Sequence, residues 1–122
     1  MKDQVSYYES KLKYEIDPYD LHERINLGDN IIVVDARASE MHAERHIKNA
    51  ISLPSGNMNQ ETTSRFDDSA LYVTYGDHVA CNASTKGALM LTKLGFKVKE
   101  LMGGFNVWLK YGYETDEGIN TT

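Results

Sequence analysis

The sequence predicts an α/β domain with a mainly parallel sheet. Ile31-Ile32-Val33-Val34 is a β-branched run without polar alternation, the pattern of a strand buried on both faces. Leu71-Tyr72-Val73-Thr74-Tyr75 is a second such run, and Phe96-Lys97-Val98-Lys99-Glu100-Leu101 is a third extended stretch. Amphipathic stretches lie before and between these runs, and Gly28, Gly95 and Gly112 supply stops. Strands that alternate with helices need crossover connections, and crossovers make neighbouring strands parallel.

Each element has its own signal. Residues 1–11 are polar and tyrosine-rich and are expected as an N-terminal extension, a short helix packed on the domain. Lys13-Tyr14-Glu15-Ile16 reads as a short edge strand. Asp17-Pro18-Tyr19-Asp20 is a helix start, with Asp17 as the cap and Pro18 at the first helical position. Leu21 and Ile25 then share a face. After the strand at 31–34, Ser39 is expected to cap a helix through about His46. Ala50-Ile51-Ser52-Leu53 reads as a strand stopped by Pro54, and a short helix is expected at 60–66. A helix at 84–94 follows the 71–75 strand, with Ser84 as its cap. Gly103-Gly104 is a turn before a last helix at 105–111 that carries Trp108. Residues 114–122 are expected as a frayed, flexible acidic tail.

The bulk numbers narrow the function classes. The 122 residues suffice for one domain with a modest core, 1–122, and are too few for two ordinary ones. A net charge of −5 argues against nucleic acid as the main partner, because phosphate binding needs a basic face. No apolar run approaches the roughly 20 residues of a membrane span, so no membrane partner is expected. One cysteine cannot form an internal disulfide, and Met1 to Ser6 hold no apolar signal region. A reducing, cytoplasmic setting is the expectation.

Residues 71–94 carry the chemistry. A strand ends in a polar loop that feeds a helix N-terminus, an arrangement suited to an anion or a reactive thiolate. The expected binding loop comprises Gly76, Asp77, His78, Val79 and Ala80, then Asn82, Ala83, Ser84, Thr85 and Lys86. Cys81, the only thiol, lies within it. Gly76 stands at the strand's end, where a nucleophile is expected. It can shape a cradle but cannot attack, and its bland reading is a turn glycine with positive φ. Cys81 reads either as a displaced nucleophile activated by the helix dipole and Lys86, or as a small, partly buried apolar residue. Lys86 in the first helical turn opposes the dipole by up to ~1 kcal/mol, which a bound anion would offset. His78 reads as a solvated loop histidine or an anion contact. His42 and His46 are four apart, but no third ligand accompanies them, and no metal or cofactor is expected.

The chain resembles the rhodanese-like (sulfurtransferase) domain family over nearly its whole length. Val33-Val34-Asp35-Ala36-Arg37, Glu40, His46-Ile47, Ala50 and Leu53-Pro54 are similar to the family's N-terminal signature, with Arg45 where glycine is usual. Leu101-Met102-Gly103-Gly104-Phe105, Trp108, Gly112 and Tyr113 are similar to its C-terminal signature. Thr74-Tyr75 through Cys81-Asn82-Ala83-Ser84-Thr85-Lys86 resembles a subgroup with a long active-site loop. The resemblance implies a three-layer fold with about five central strands. It implies transfer of a sulfane sulfur from thiosulfate or a protein persulfide, carried on the cysteine right after the strand. Gly76 occupies that position here. Asp35, Arg37, Glu40 and His46 are then structural supports, with Arg37 pairing Glu40 or nearby backbone.

Two functions follow as expectations. One is a binding or regulatory module, catalytically silent toward thiosulfate, with an anion or a partner protein at its loop. The other is a sulfurtransferase with its persulfide on Cys81. A phosphatase or arsenate reductase is disfavoured, because Lys86 stands where a bidentate arginine would grip an oxyanion.

Overall fold

The computed structural model describes residues 1–121. Five strands form one parallel sheet: β1 (Glu15–Ile16), β2 (Ile31–Asp35), β4 (Ile51–Ser52), β5 (Leu71–Tyr75) and β6 (Lys97–Leu101), in the spatial order β1-β6-β5-β2-β4. The α/β class and the parallel sheet read from the sequence are therefore observed. β2 and β5 run in full register from Ile31 opposite Leu71 to Asp35 opposite Tyr75. Their carboxyl ends therefore finish side by side, so the residues after each strand meet.

Both central strands bury both faces, as continuous apolar runs require. Val33, Val73 and Tyr75 enter one core with Leu21, Leu101, Phe105 and Trp108. Val34 and Tyr72 enter the other with Ile51, Met58, Ala70 and Leu91. This period-two division puts α2 (Pro18–Asn26) and α5 (Gly104–Lys110) on one side of the sheet. α4 (Ala83–Lys93) covers the other. Asp17 caps α2 as read, its carboxylate accepting from the Asp20 amide at 2.8 Å.

Several boundaries differ from the sequence reading. α1 (Lys2–Tyr14) is longer than expected and leaves β1 only two residues; it lies against β1 and β6, but none of its residues is buried. α3 (Ser39–Glu44) has Ala38 as its cap and stops two residues early, because Arg45 turns extended and His46 starts β3 (His46–Ile47). Residues 60–65 form consecutive turns rather than a helix, with Thr62 and Thr63 side chains bonded to the backbone around Asn57 and Asn59. Such local side-chain bonds compete with the helical ladder.

The tail is the largest correction. β7 (Thr115–Asp116) pairs antiparallel with β3, the Asp116 carboxylate accepts from the Asn49 amide, and Asn120 bonds across to His42, Asn49 and Ala50. Polar composition signalled fraying, yet these polar groups find partners on the domain. Thr122, at the end of that expectation, lies outside the described residues. No helix among the described residues is long and apolar enough to cross a membrane.

Candidate functional site

At the carboxyl end of β5, the loop at residues 76–82 bends over the tip of the sheet into α4. Its shape is imposed from α5. The Gly76 carbonyl accepts from the Phe105 amide and the Asp77 carbonyl from the Asn106 amide, each at 2.9 Å. This contact needs a glycine at 104. A Cβ there would lie 2.7 Å from the Gly76 oxygen, and the Gly104 φ is +67°. The glycine pair seen in sequence thus does more than turn the chain.

Gly76 itself is not in the left-handed region, so its backbone accommodates any residue. This corrects the turn-glycine reading. The absent side chain has a definite direction: an ideal Cβ would lie 3.3 Å from Cys81 Sγ and 3.4 Å from the Ser84 amide nitrogen. The thiol of Cys81, half-buried and free, therefore already stands beside the space a residue-76 side chain would enter.

Both residues line a hollow of about 300 Å³ with Ser84, Thr85, His78, Glu15 and Glu100. Its charged rim was not anticipated. Glu15 and Glu100 are register partners on β1 and β6. Lys11 holds Glu15 at 2.7 Å and the Thr85 hydroxyl donates to Glu100 at 2.7 Å. The signal was present as one glutamate in each of two strand segments, but only the pairing of β1 with β6 brings them together.

The remaining loop residues divide. Asp77 faces inward to Arg37 at 3.3 Å. His78 is exposed, and its Nδ1 accepts from the Ala80 amide. Val79, Ala80, Asn82 and Lys86 are exposed. Lys86 is not among the residues that line the hollow. Ser84 is not the cap of α4. Asn82 holds that position without a side-chain bond, and no acidic side chain sits in the first turn. Ser84 is buried instead, donating to the Thr74 carbonyl while the Thr74 hydroxyl donates to the Ser84 carbonyl at 3.0 Å. Ala83 lies half-buried at the first position of that helix.

Behind the loop, Arg37 is clamped. Its guanidinium donates to both Asp35 oxygens at 3.0 and 2.9 Å and to the Arg45 carbonyl at 2.7 Å, and it stacks on Phe105. Of the two partners expected for Arg37, the nearby backbone is the one observed, at the Arg45 carbonyl, while Glu40 is exposed and takes no part. Arg45 is extended at φ −168°, a conformation that needs no glycine. Asp35 also accepts from His42 Nδ1 at 2.9 Å, and the His46 ring stacks on His42 at 3.7 Å while its Nδ1 donates to the His42 carbonyl. The two histidines are therefore bound into a structural network, and no metal-holding cluster occurs among the described residues. Burial pushes the Tyr75 phenol far above its ordinary range, so it stays protonated beside this network, its oxygen accepting from the Ile47 amide.

The model of the rhodanese-like domain matches residues 17–111. The chain belongs to the rhodanese-like domain family. No curated protein matches the chain. Among solved structures, the BH2092 protein of Bacillus halodurans is 41% identical, with a TM-score of 0.89 over 95% of this chain and 85% of that one. A thiosulfate sulfurtransferase of Pseudomonas aeruginosa is 26% identical, with a TM-score of 0.75 over 89% of this chain, which spans 20% of that protein. A rhodanese-related protein of Thermoplasma volcanium shares the fold, at 24% identity and a TM-score of 0.72 over 84% of this chain and 97% of that one. In this rhodanese-like domain the strand–loop–helix at 71–94 sits where an α/β sheet places its ligand crevice, at the carboxyl ends of the strands.

Proposed function

We propose that this rhodanese-like domain lacks the standard thiosulfate sulfurtransferase activity and serves as a binding or regulatory module through its 76–86 loop. Gly76 carries the reading. It puts no nucleophile where the loop is shaped to receive a side chain, although its backbone would accept one. The hollow is polarised. On one side is the uncapped N-terminus of α4, whose first-turn amides favour negative charge. On the other are the carboxylates of Glu15 and Glu100. A ligand that fits both carries its anionic end toward α4 and a neutral or cationic portion toward the glutamates. A partner-protein segment with a persulfide or carboxylate meets that description better than free thiosulfate, which is negative throughout.

The purified protein should form no thiocyanate from thiosulfate and cyanide above background, while Gly76→Cys should turn over. Turnover by the unaltered protein that disappears in Cys81→Ser would overturn this reading.

The position of Cys81 favours a second reading, in which its thiolate carries the sulfur. The thiolate attacks the outer sulfur of the donor and the donor S–S bond breaks. From thiosulfate, sulfite leaves with the bonding pair, and Cys81 holds a persulfide. An acceptor thiolate or cyanide then takes that outer sulfur and restores the Cys81 thiolate. Treatment with a persulfide donor should raise the intact mass by about 32 Da, and Cys81→Ser should abolish the gain. No adduct on the unaltered protein would eliminate this reading.

A further inference from the structure

An isolated helix of about 12–15 residues is marginal in water unless an apolar face is packed. α1 has 13 residues and lies against β1 and β6, yet buries none of them, so the domain alone leaves its apolar face open. Its sequence nevertheless has an organised face. Met1, Val5, Tyr8 and Leu12 recur at spacings of four, three and four, the seam of a two-stranded coiled coil. They are 94%, 56%, 53% and 79% exposed. Tyr8 and Leu12 also form one wall of an open groove of about 560 Å³, floored by Ile16 and Met102 and closed opposite by α2.

Charge selects the occupant. With Val5 and Leu12 as a positions and Met1 and Tyr8 as d positions, Lys2 and Glu9 both fall at e. In an antiparallel pair of α1 helices the e positions face each other, so Lys2 of each copy meets Glu9 of the other. A parallel pair would set Gln4 against Glu9 and make no ion pair. The far wall of the groove adds to the match. It presents Asp17, Asp20 and Glu23 with Arg24, a net negative wall, whereas α1 carries Lys2, Lys11 and Lys13 against Asp3 and Glu9. We infer that α1 is a self-association element that pairs antiparallel with α1 of a second copy along the Met1–Val5–Tyr8–Leu12 seam.

The helix pair by itself is smaller than a standard interface of about 1,600 Å², so reversible association at micromolar or weaker strength is the expectation. Sedimentation equilibrium of the full chain from about 10 μM to 1 mM should show a monomer–dimer equilibrium. Leu12→Glu should give a monomer throughout that range without lowering the thermal midpoint measured at low concentration, because Leu12 supports no core. Lys2→Glu and Glu9→Lys should each weaken the dimer roughly three- to tenfold at low salt, and the double exchange should restore it. A monomer at 1 mM, a Leu12→Glu variant that still dimerises, or a double exchange that fails to recover would each overturn the inference.

Discussion

Gly104 is the position near the candidate site where a single methyl group should do most harm. In Gly104→Ala the Cβ would sit 2.7 Å from the Gly76 oxygen on a backbone at φ +67°. Left-handed strain alone is worth about 1–3 kcal/mol, and the clash adds to it. Urea unfolding should show a loss of at least about 2 kcal/mol. Gly76→Cys should behave differently, since its φ is ordinary and Cys81 Sγ need move only slightly from 3.3 Å. That separation is close to the Cβ–S distance of about 3 Å across a disulfide. Without reductant the variant should therefore oxidise, losing about 2 Da and its free thiols, and sulfur transfer should require reducing conditions. At this scale the sequence exposed Gly76 and Cys81 as the informative pair. It did not reveal that one points at the other, because that depends on how Ser84 anchors α4.

Among the elements, α4 and the C-terminal segment carry the clearest tests. Ser84 ties the first turn of α4 to β5 through two buried bonds with Thr74. Ser84→Ala removes the donor to the Thr74 carbonyl and should destabilise the fold by about 1–2 kcal/mol in chemical unfolding. The C-terminal segment is tied by His42, whose Nε2 accepts from the Asn120 amide while Nδ1 faces Asp35. That arrangement needs a neutral ring. Burial holds the His42 pKa below its usual 6.5, with Asp35 opposing the shift. In the unfolded chain the ring protonates first as pH falls, so the unfolded state binds more protons between 6.5 and the folded value. The His42 contribution is therefore complete above pH 6.5 and declines below it. Urea midpoints at pH 7.5 and 5.5 should fall with acidification, and His42→Gln should flatten the difference. The long apolar strands and the Asp17-Pro18 helix start were legible because their signals are local. β3, β7 and the His42 tether were not, since each depends on a partner about 70 residues away.

For the molecule as a whole, the Asp35–Arg37 clamp is the junction. It joins the ends of β2, α3, the candidate loop and α5 through Asp35, Arg45, Asp77 and Phe105. Arg37→Met would strand a buried carboxylate, and loss of one partner of a buried pair typically costs about 3–5 kcal/mol. The expected result is a chain at the limit of stability, visible as a much lower melting temperature and loss of cooperative unfolding.

The segment near Asn120 also bears on how the sheet resists addition of a further strand at its β4 edge. β4 is an outer strand of the sheet. Its free edge offers the Ser52 amide and the Ala50 carbonyl. The Asn120 carbonyl accepts from Ser52 at 2.6 Å and the Asn120 side chain donates to Ala50 at 3.1 Å. A bare strand edge is a template for adding another chain, and here one residue closes it from both sides. Removal of residues 118–122 should therefore appear first as turbidity on storage at high concentration, before any change in secondary structure.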